Sequence, residues 1–314
     1  MPADLPPRHH YIPVFYLKQW MAGDGRICEY QREHAGVVKP KRTHPSGTGY
    51  VRGLYDLVGI EDANIRDAFE REFLKPVDTG AAEQLQDINT GRKAMNNPYK
   101  RSAWTRFLLS LLFRMPEDIA LFKSRYVEAW MRVTPDRVKY YNRIHRPGAP
   151  KRLEDALSRM NTHDIEHRAM NALIPLITNP RIGEHLINMR WGSLRLPNIG
   201  PTLLTSDRPV VISNGLKNED SHVILPIGPK TIFYAVNSQS VLNFLMIRPP
   251  AEIAEALNTA VTHQAVKYVY GQWDNQLPFV QQHMGAKRLP SLLERMEEIS
   301  ASRQFKKRLR KKHP

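Results

Sequence analysis

Between His9 and Trp20 the chain reads His-His-Tyr-Ile-Pro-Val-Phe-Tyr-Leu-Lys-Gln-Trp. Chain termini are normally polar and loosely held. A run this rich in aromatic and aliphatic side chains therefore obliges the fold to bury its own beginning, and it carries imidazoles in beside the apolar groups. Pro13 argues against one long helix across the run, which leaves a strand-like stretch or a short helix. The rest of the chain can supply a core to bury it in, since 41% of the 314 residues are hydrophobic and 25% charged. The longest apolar run, Phe107–Phe113, falls well short of the roughly 18 residues of a membrane span. Residues 1–30 show no basic stretch followed by an apolar one, as a secretory leader would. A cytoplasmic protein with no membrane partner is expected. The single cysteine, Cys28, excludes an intrachain disulfide and a multi-thiolate metal site.

Gly23-Asp24-Gly25 signals a turn, and Arg26–Tyr30 alternates as a strand does. Lys39–Gly53, basic and rich in Pro, Gly and Ser, reads as a loop, and Leu54–Val58 as a second short strand. Helix is expected to dominate residues 62–190. Ile65, Phe69, Phe73 and Leu74 have helical spacing, Ser102–Phe113 reads as a core helix, and Pro116 with Glu117 and Asp118 as a new helix start. Thr162 is a candidate cap for a later helix. Short β-type runs follow at Met189–Leu196, Leu203-Leu204, Val210–Ser213, Val223–Ile227 and Thr231–Val236. Pro249–Gln264 returns to helix, and Lys267–Tyr270 is a last strand. The pattern predicts an α+β fold: a central helical region with short mixed or antiparallel strands from the N-terminal and C-terminal thirds. The expected organisation is one compact unit over residues 9–290, with 146–150 as a candidate internal linker, then a basic C-terminal helix or tail over 291–314.

Several short motifs occur in a fixed order. His10-Tyr11-Ile12-Pro13-Val14-Phe15-Tyr16-Leu17 fits H-Y-[VI]-P-x-x-[YF]-L; acidic positions follow around Glu70 to Asp78, then Arg114-Met115-Pro116 as R-x-P, Thr205-Ser206-Asp207-Arg208-Pro209 as T-S-D-x-P, and Leu225-Pro226-Ile227-Gly228-Pro229. Together they resemble a bacterial family of unknown function, over most of residues 9–272. The resemblance implies an architecture and a shortlist of positions, and no activity. The second acidic position of the pattern is Asp78 here rather than a glutamate.

Three residues are candidates for catalysis. His10 titrates near neutrality and suits a general acid or base, or else is a core histidine bonded to a backbone carbonyl. Its neighbour His9 is expected to face outward. Asp207 lies at a turn between apolar runs and would orient His10 or hold a metal, or else would bond backbone N–H groups ahead of Pro209. Arg114 follows a strongly apolar helix and must meet a phosphate or a structural acid. If the three converge, each satisfies the others. Tyr11, Gln19 and Asn258 are further candidates. Glu70, Glu72 and Asp78 could hold a divalent metal, or form a solvated acidic face. His163-Asp164-Ile165-Glu166-His167 satisfies the zinc-hydrolase pattern H-x-x-E-H, but no third ligand is identifiable, and a solvated helix start is the expected reading. No metal site is assigned, and a divalent ion stays open as cofactor. With no phosphate-binding glycine loop in the sequence, no nucleotide cofactor is expected.

The formal net charge is +15. Arg303, Lys306, Lys307, Arg308, Arg310, Lys311 and Lys312 supply seven of those charges within ten residues, leaving +8 on the rest. Such a segment binds nucleic acid or another polyanion through counterion release, or solubilises the chain. Two function classes survive. One is a nuclease-like phosphodiesterase built on His10, Asp207 and Arg114. The other is a non-catalytic nucleic-acid or protein-interaction module. A zinc hydrolase through H-x-x-E-H is a distant third. Oligomeric state is not legible.

Overall fold

The structure is a computed structural model that describes residues 6–33, 36–91, 97–213, 215–287, 289–296 and 298. The basic segment from Arg303 to Lys312 lies outside the described residues. The chain opens with β1 (Arg8–His10) and a one-turn helix α1 (Val14–Leu17), which runs into a 3-10 turn at Lys18–Trp20. Pro13 is the residue that divides strand from helix, as the cap of α1. Strands β2 (Ile27–Arg32) and β3 (Val38–Thr43) form a hairpin, and β4 (Tyr50–Arg52) returns to pair with β1. The predicted loop Lys39–Gly53 therefore contains two strands. Pro40 is tolerated because β3 is an edge strand, where the missing N–H costs no ladder bond. The strand predicted at Leu54–Val58 is instead a turn. Its backbone bonds locally, Asp56 N–H to the Gly53 carbonyl at 3.0 Å, and to a side chain, Tyr55 N–H to His9 Nδ1 at 3.0 Å.

The helical region comprises α2 (Ala63–Arg66), a π-helical turn at Phe69–Leu74, α3 (Lys75–Thr90), α4 (Pro98–Leu111), α5 (Pro116–Met131), α6 (Pro135–Ile144), α7 (Leu153–Ser158), α8 (Thr162–Ile177) and α9 (Pro180–Asn188). Local chemistry sets these starts: Asn97, Thr134, Asn161 and Asn179 each accept a backbone N–H at their helix's start, and α4, α5, α6 and α9 begin with proline. Asn161, rather than the expected Thr162, caps α8. Trp104, Phe107, Leu108 and Leu111 bury one face of α4 together with Val77, Ala81, Leu85 and Ile88 of α3. The two helices approach closely, since a Cβ on Gly80 would come within 3.1 Å of Ala103 Cβ.

The last third contains β5 (Arg190–Arg195), β6 (Thr205–Ser206), β7 (Val211–Ser213), β8 (His222–Gly228), β9 (Thr231–Val236), α10 (Gln239–Ile247), α11 (Pro250–Gln264), β10 (Tyr268–Gly271) and α12 (Leu277–His283). One antiparallel sheet has the order β3-β2-β10-β6, a second β5-β9-β8-β7, and β1-β4 is a separate ribbon. The fold is α+β, with helices between strands from both ends of the sequence. The opening aromatic run is buried as expected: Tyr11, Ile12, Tyr16, Leu17 and Trp20 join the main core with Phe107, Leu225 and Phe233. Tyr16 hydroxyl donates to the Pro226 carbonyl at 2.7 Å and Trp20 Nε1 to the Leu203 carbonyl at 2.9 Å, so the N-terminus is fastened to residues about 200 positions later. Among the described residues no helix is long and apolar enough to cross a membrane.

Candidate active site

Pairing of β1 with β4 places His10 opposite Tyr50. The expected exposure of the two histidines is exchanged: His9 is 1% exposed and His10 is the half-buried one. The turn at Tyr55 is the cause. His9 stacks on the Tyr55 ring with centroids 5.3 Å apart and accepts its N–H, and its Nε2 lies 3.6 Å from Asp56 Oδ1. His10 Nε2 lies 3.4 Å from the Ser46 carbonyl. Burial holds both imidazoles below their ordinary pKa. Asp56 works against this at His9, and the Ser46 carbonyl and Asp78 work against it at His10.

Asp78 is the junction of this region. It lies in the first turn of α3, and Arg114, in the turn between α4 and α5, reaches it with two parallel bonds, Nη1 to Oδ2 at 3.2 Å and Nη2 to Oδ1 at 2.8 Å. Arg114 is 1% exposed; Nη2 also donates to the Ser110 hydroxyl, and its carbonyl accepts from the Tyr55 hydroxyl at 3.1 Å. Burial opposes the guanidinium charge, yet Asp78 more than offsets it and the pKa is raised. Of the two alternatives open for Arg114, the structure realises the structural acid.

Glu70 sits on the π-helical turn beside this pair. Such turns occur often at functional sites. Its Oε2 is buried with no hydrogen-bond partner, and so is Arg114 Nε. Burial lifts the Glu70 carboxyl, Arg114 pulls it back and Asp78 pushes it up again, to about 7. Glu72, the third acid of the expected metal set, points elsewhere: it is exposed and accepts from Arg71 at 3.0 Å.

Asp207 belongs to a different region. It is fully buried, and its carboxylate accepts three backbone N–H groups at the start of β10, from Val266 at 2.9 Å, Lys267 at 2.6 Å and Tyr268 at 2.9 Å. Backbone bonding was one of the two expectations for it, but the donors are these distant ones rather than those ahead of Pro209. Desolvation exceeds the effect of the three bonds and leaves the carboxyl at about 6. No hydrogen bond joins His10, Arg114 and Asp207 to one another: His10 and Arg114 share Asp78 as an electrostatic neighbour, and Asp207 is felt instead by Tyr11. Tyr11 is buried, and desolvation, Asp207, Glu117 and Glu29 all hold its hydroxyl protonated.

Gln19 donates to the Phe15 carbonyl at 3.2 Å and accepts from Asn89 at 3.4 Å. Asn258 accepts from Leu204 N–H at 2.8 Å and donates to the Thr202 carbonyl at 2.9 Å, tying α11 to the segment that leads into β6. In the H-x-x-E-H stretch, His163 faces Glu166 at 3.7 Å while His167 Nε2 lies 3.1 Å from the Val58 carbonyl. Among the described residues no three His, Cys, Asp or Glu side chains are placed together as a metal-binding group. His9, Tyr55 and Asp56 complete the Asp78 region, and none of them is among the site candidates that the sequence offers. A charged or polar group flanked by apolar neighbours, as in Leu54-Tyr55-Asp56-Leu57, was the available signal.

The family profile described as "Protein of unknown function (DUF4238)" matches residues 8–275, and the chain belongs to that family. The match covers His10, Glu70, Asp78, Arg114 and Asp207 and stops ahead of the basic C-terminal segment. No curated protein and no solved structure matches the chain significantly.

Proposed function

We propose that this DUF4238 protein is a hydrolase of phosphodiester bonds in nucleic acid, with His10 and Glu70 as its acid–base pair. The observation that carries the reading is the Glu70 carboxyl, held at about 7 with a buried oxygen that no hydrogen bond satisfies. Strongly perturbed titratable groups of this kind gather at functional sites. The two environments push the groups in opposite directions, which fits a division of labour. His10, lowered by burial, is neutral near pH 7 and can take a proton from the attacking water or hydroxyl. Glu70, raised, is still partly protonated there and can give one to the leaving oxygen as the P–O bond breaks. Arg114 is a positioning residue: its bonds to Asp78 hold that carboxylate beside both groups, so it is not free to clamp a phosphate. Phosphodiester as the substrate class rests on the +15 charge, and on the C-terminal basic segment as an electrostatic collector.

The test is a cleavage assay on single- and double-stranded DNA and RNA, with and without a divalent metal, between pH 5 and 9. The rate is expected to rise through a pKa below 6.5, as His10 loses its proton, and to fall above about 7, as Glu70 loses its own. Glu70→Gln should lower kcat at least about 100-fold. Removing residues 303–314 should raise KM and flatten its salt dependence while sparing kcat. Wild-type cleavage in Glu70→Gln would overturn the assignment. Binding without cleavage would favour a second reading, a nucleic-acid-binding module. One observation already favours it: Asp207 and Asn258, both sequence candidates, are occupied in holding backbone.

A further inference from the structure

Far in sequence from His10 and Glu70, α10 breaks the usual rule for a helix on a globular protein. Six of its nine residues are apolar, Val241, Leu242, Phe244, Leu245, Met246 and Ile247, yet none of the helix is buried. Phe244 is 56% and Ile247 79% exposed. Beneath α10 lies a cavity of about 720 Å³, floored by Ile224, Ile232 and Val236 of β8 and β9 and walled by Ile253, Ala256 and Leu257 of α11. That volume falls in the range of small-molecule sites, which are mostly apolar with a few polar groups to fix orientation. Here the polar groups stand at the two ends. Asp220, His222 and Ser240 line one end, with His222 Nδ1 2.8 Å from Ser213 Oγ. Arg248 lines the other, at the corner between α10 and α11. Ser240 and Arg248 are about 12 Å apart along the helix axis.

Arg248 sets the ligand's charge. Its guanidinium lies over the Phe244 ring at 4.4 Å, and among the described residues it is in no ion pair. An arginine held by an aromatic face at the mouth of an apolar cavity is suited to a carboxylate. Asp220, at the far end, would repel one. We propose that the groove between α10, α11 and the β8–β9 surface binds a monomeric amphipathic carboxylate of fatty-acid type, its apolar chain under α10 and its head on Arg248. This does not rest on the phosphodiesterase reading.

The experiment is isothermal titration of the full-length protein with dodecanoate below its micelle concentration, with dodecylamine in parallel. One site per chain is expected, with dodecanoate at least tenfold tighter. Ala256→Trp fills the groove from an exposed position without changing charge, so it should abolish binding and separate the groove from the basic C-terminal segment. Should that variant fail to fold, Ser240→Phe blocks the other end from an exposed position and should do the same. Arg248→Gln should bring acid and amine within about twofold of each other. The proposal is overturned by equal affinity for acid and amine, or by dodecanoate binding that survives a folded groove-filling variant. It is also overturned by absence of monomer binding, whether the protein then binds anionic vesicles, self-associates through α10, or does neither.

Discussion

Glu70 and Asp207 are both carboxyls that burial raises above the ordinary range, to about 7 and about 6, and they differ in what meets their oxygens. Asp207 faces three backbone N–H groups of one strand start, a set that gives each of its oxygens a donor. Glu70 faces a guanidinium already taken by Asp78, and one of its oxygens is left with no donor. An acid whose bonds are all made by backbone holds a fold together. An acid buried without them is a cost to the fold, and such costs are carried where chemistry needs them. The two regions lie on either side of the His-Tyr step of the opening segment, His10 sensing Asp78 and Tyr11 sensing Asp207.

Substitutions can break that contrast. Asp207→Ala should have the largest effect on stability, on the order of 5 kcal/mol, because it strands three part-buried N–H groups at once and empties the fully buried space of the carboxyl. Urea unfolding measures it, and a loss below about 1 kcal/mol would mean that the clamp does not hold the fold. Arg114→Met should follow, at about 4 kcal/mol, since it leaves Asp78 and Glu70 facing each other without a cation; the same unfolding curves report it. Glu70→Gln should act in the other direction. The folded pKa lies above the ordinary 4.5, so the native state binds the extra proton and stability falls as pH rises from about 4.5 through about 7. The glutamine variant should lose that slope and be more stable than the parent at pH 8, on the order of 2 kcal/mol. Unfolding free energies at pH 5, 6, 7 and 8 decide this, and parallel curves for the two proteins would remove the special status of Glu70. His10→Asn should change stability least, within about 0.5 kcal/mol. If it acts in catalysis, it should erase the acidic limb of the pH–rate profile.

The order of elements was largely legible because it follows local chemistry. The apolar run at Phe107–Phe113 and the proline starts announce α4 and α5, and Pro13 divides strand from helix at the beginning. The misses have physical reasons. Pro40 looks like a loop residue unless its strand is known to be an edge. Leu54–Val58 has a strand's composition, but a histidine ring takes its backbone N–H. At the site, an arginine after so apolar a helix had to find an anion, but nothing local says that the anion is Asp78. The π-helical turn at Phe69–Leu74 alters the facing of Glu70 relative to α3, which helical spacing cannot reveal. The donors to Asp207 are backbone groups about 60 residues away, and backbone carries no sequence signature.

The position of β10 has a consequence for the protein's birth. Tyr268 of β10 pairs with Gln31 of β2, about 240 residues earlier, and β10 is the strand that joins β2 to β6. At about 5–20 residues per second, the ribosome takes roughly 12–50 s to deliver β10 after β2 has emerged. Throughout that interval the β2 edge of the β2–β3 hairpin stays unpaired, and the aromatic run before it lacks the Leu203 and Pro226 carbonyls that it will bond. A nascent chain of this design depends on whatever shields its N-terminal apolar residues until translation is nearly finished, and one released before residue 268 cannot complete its first sheet.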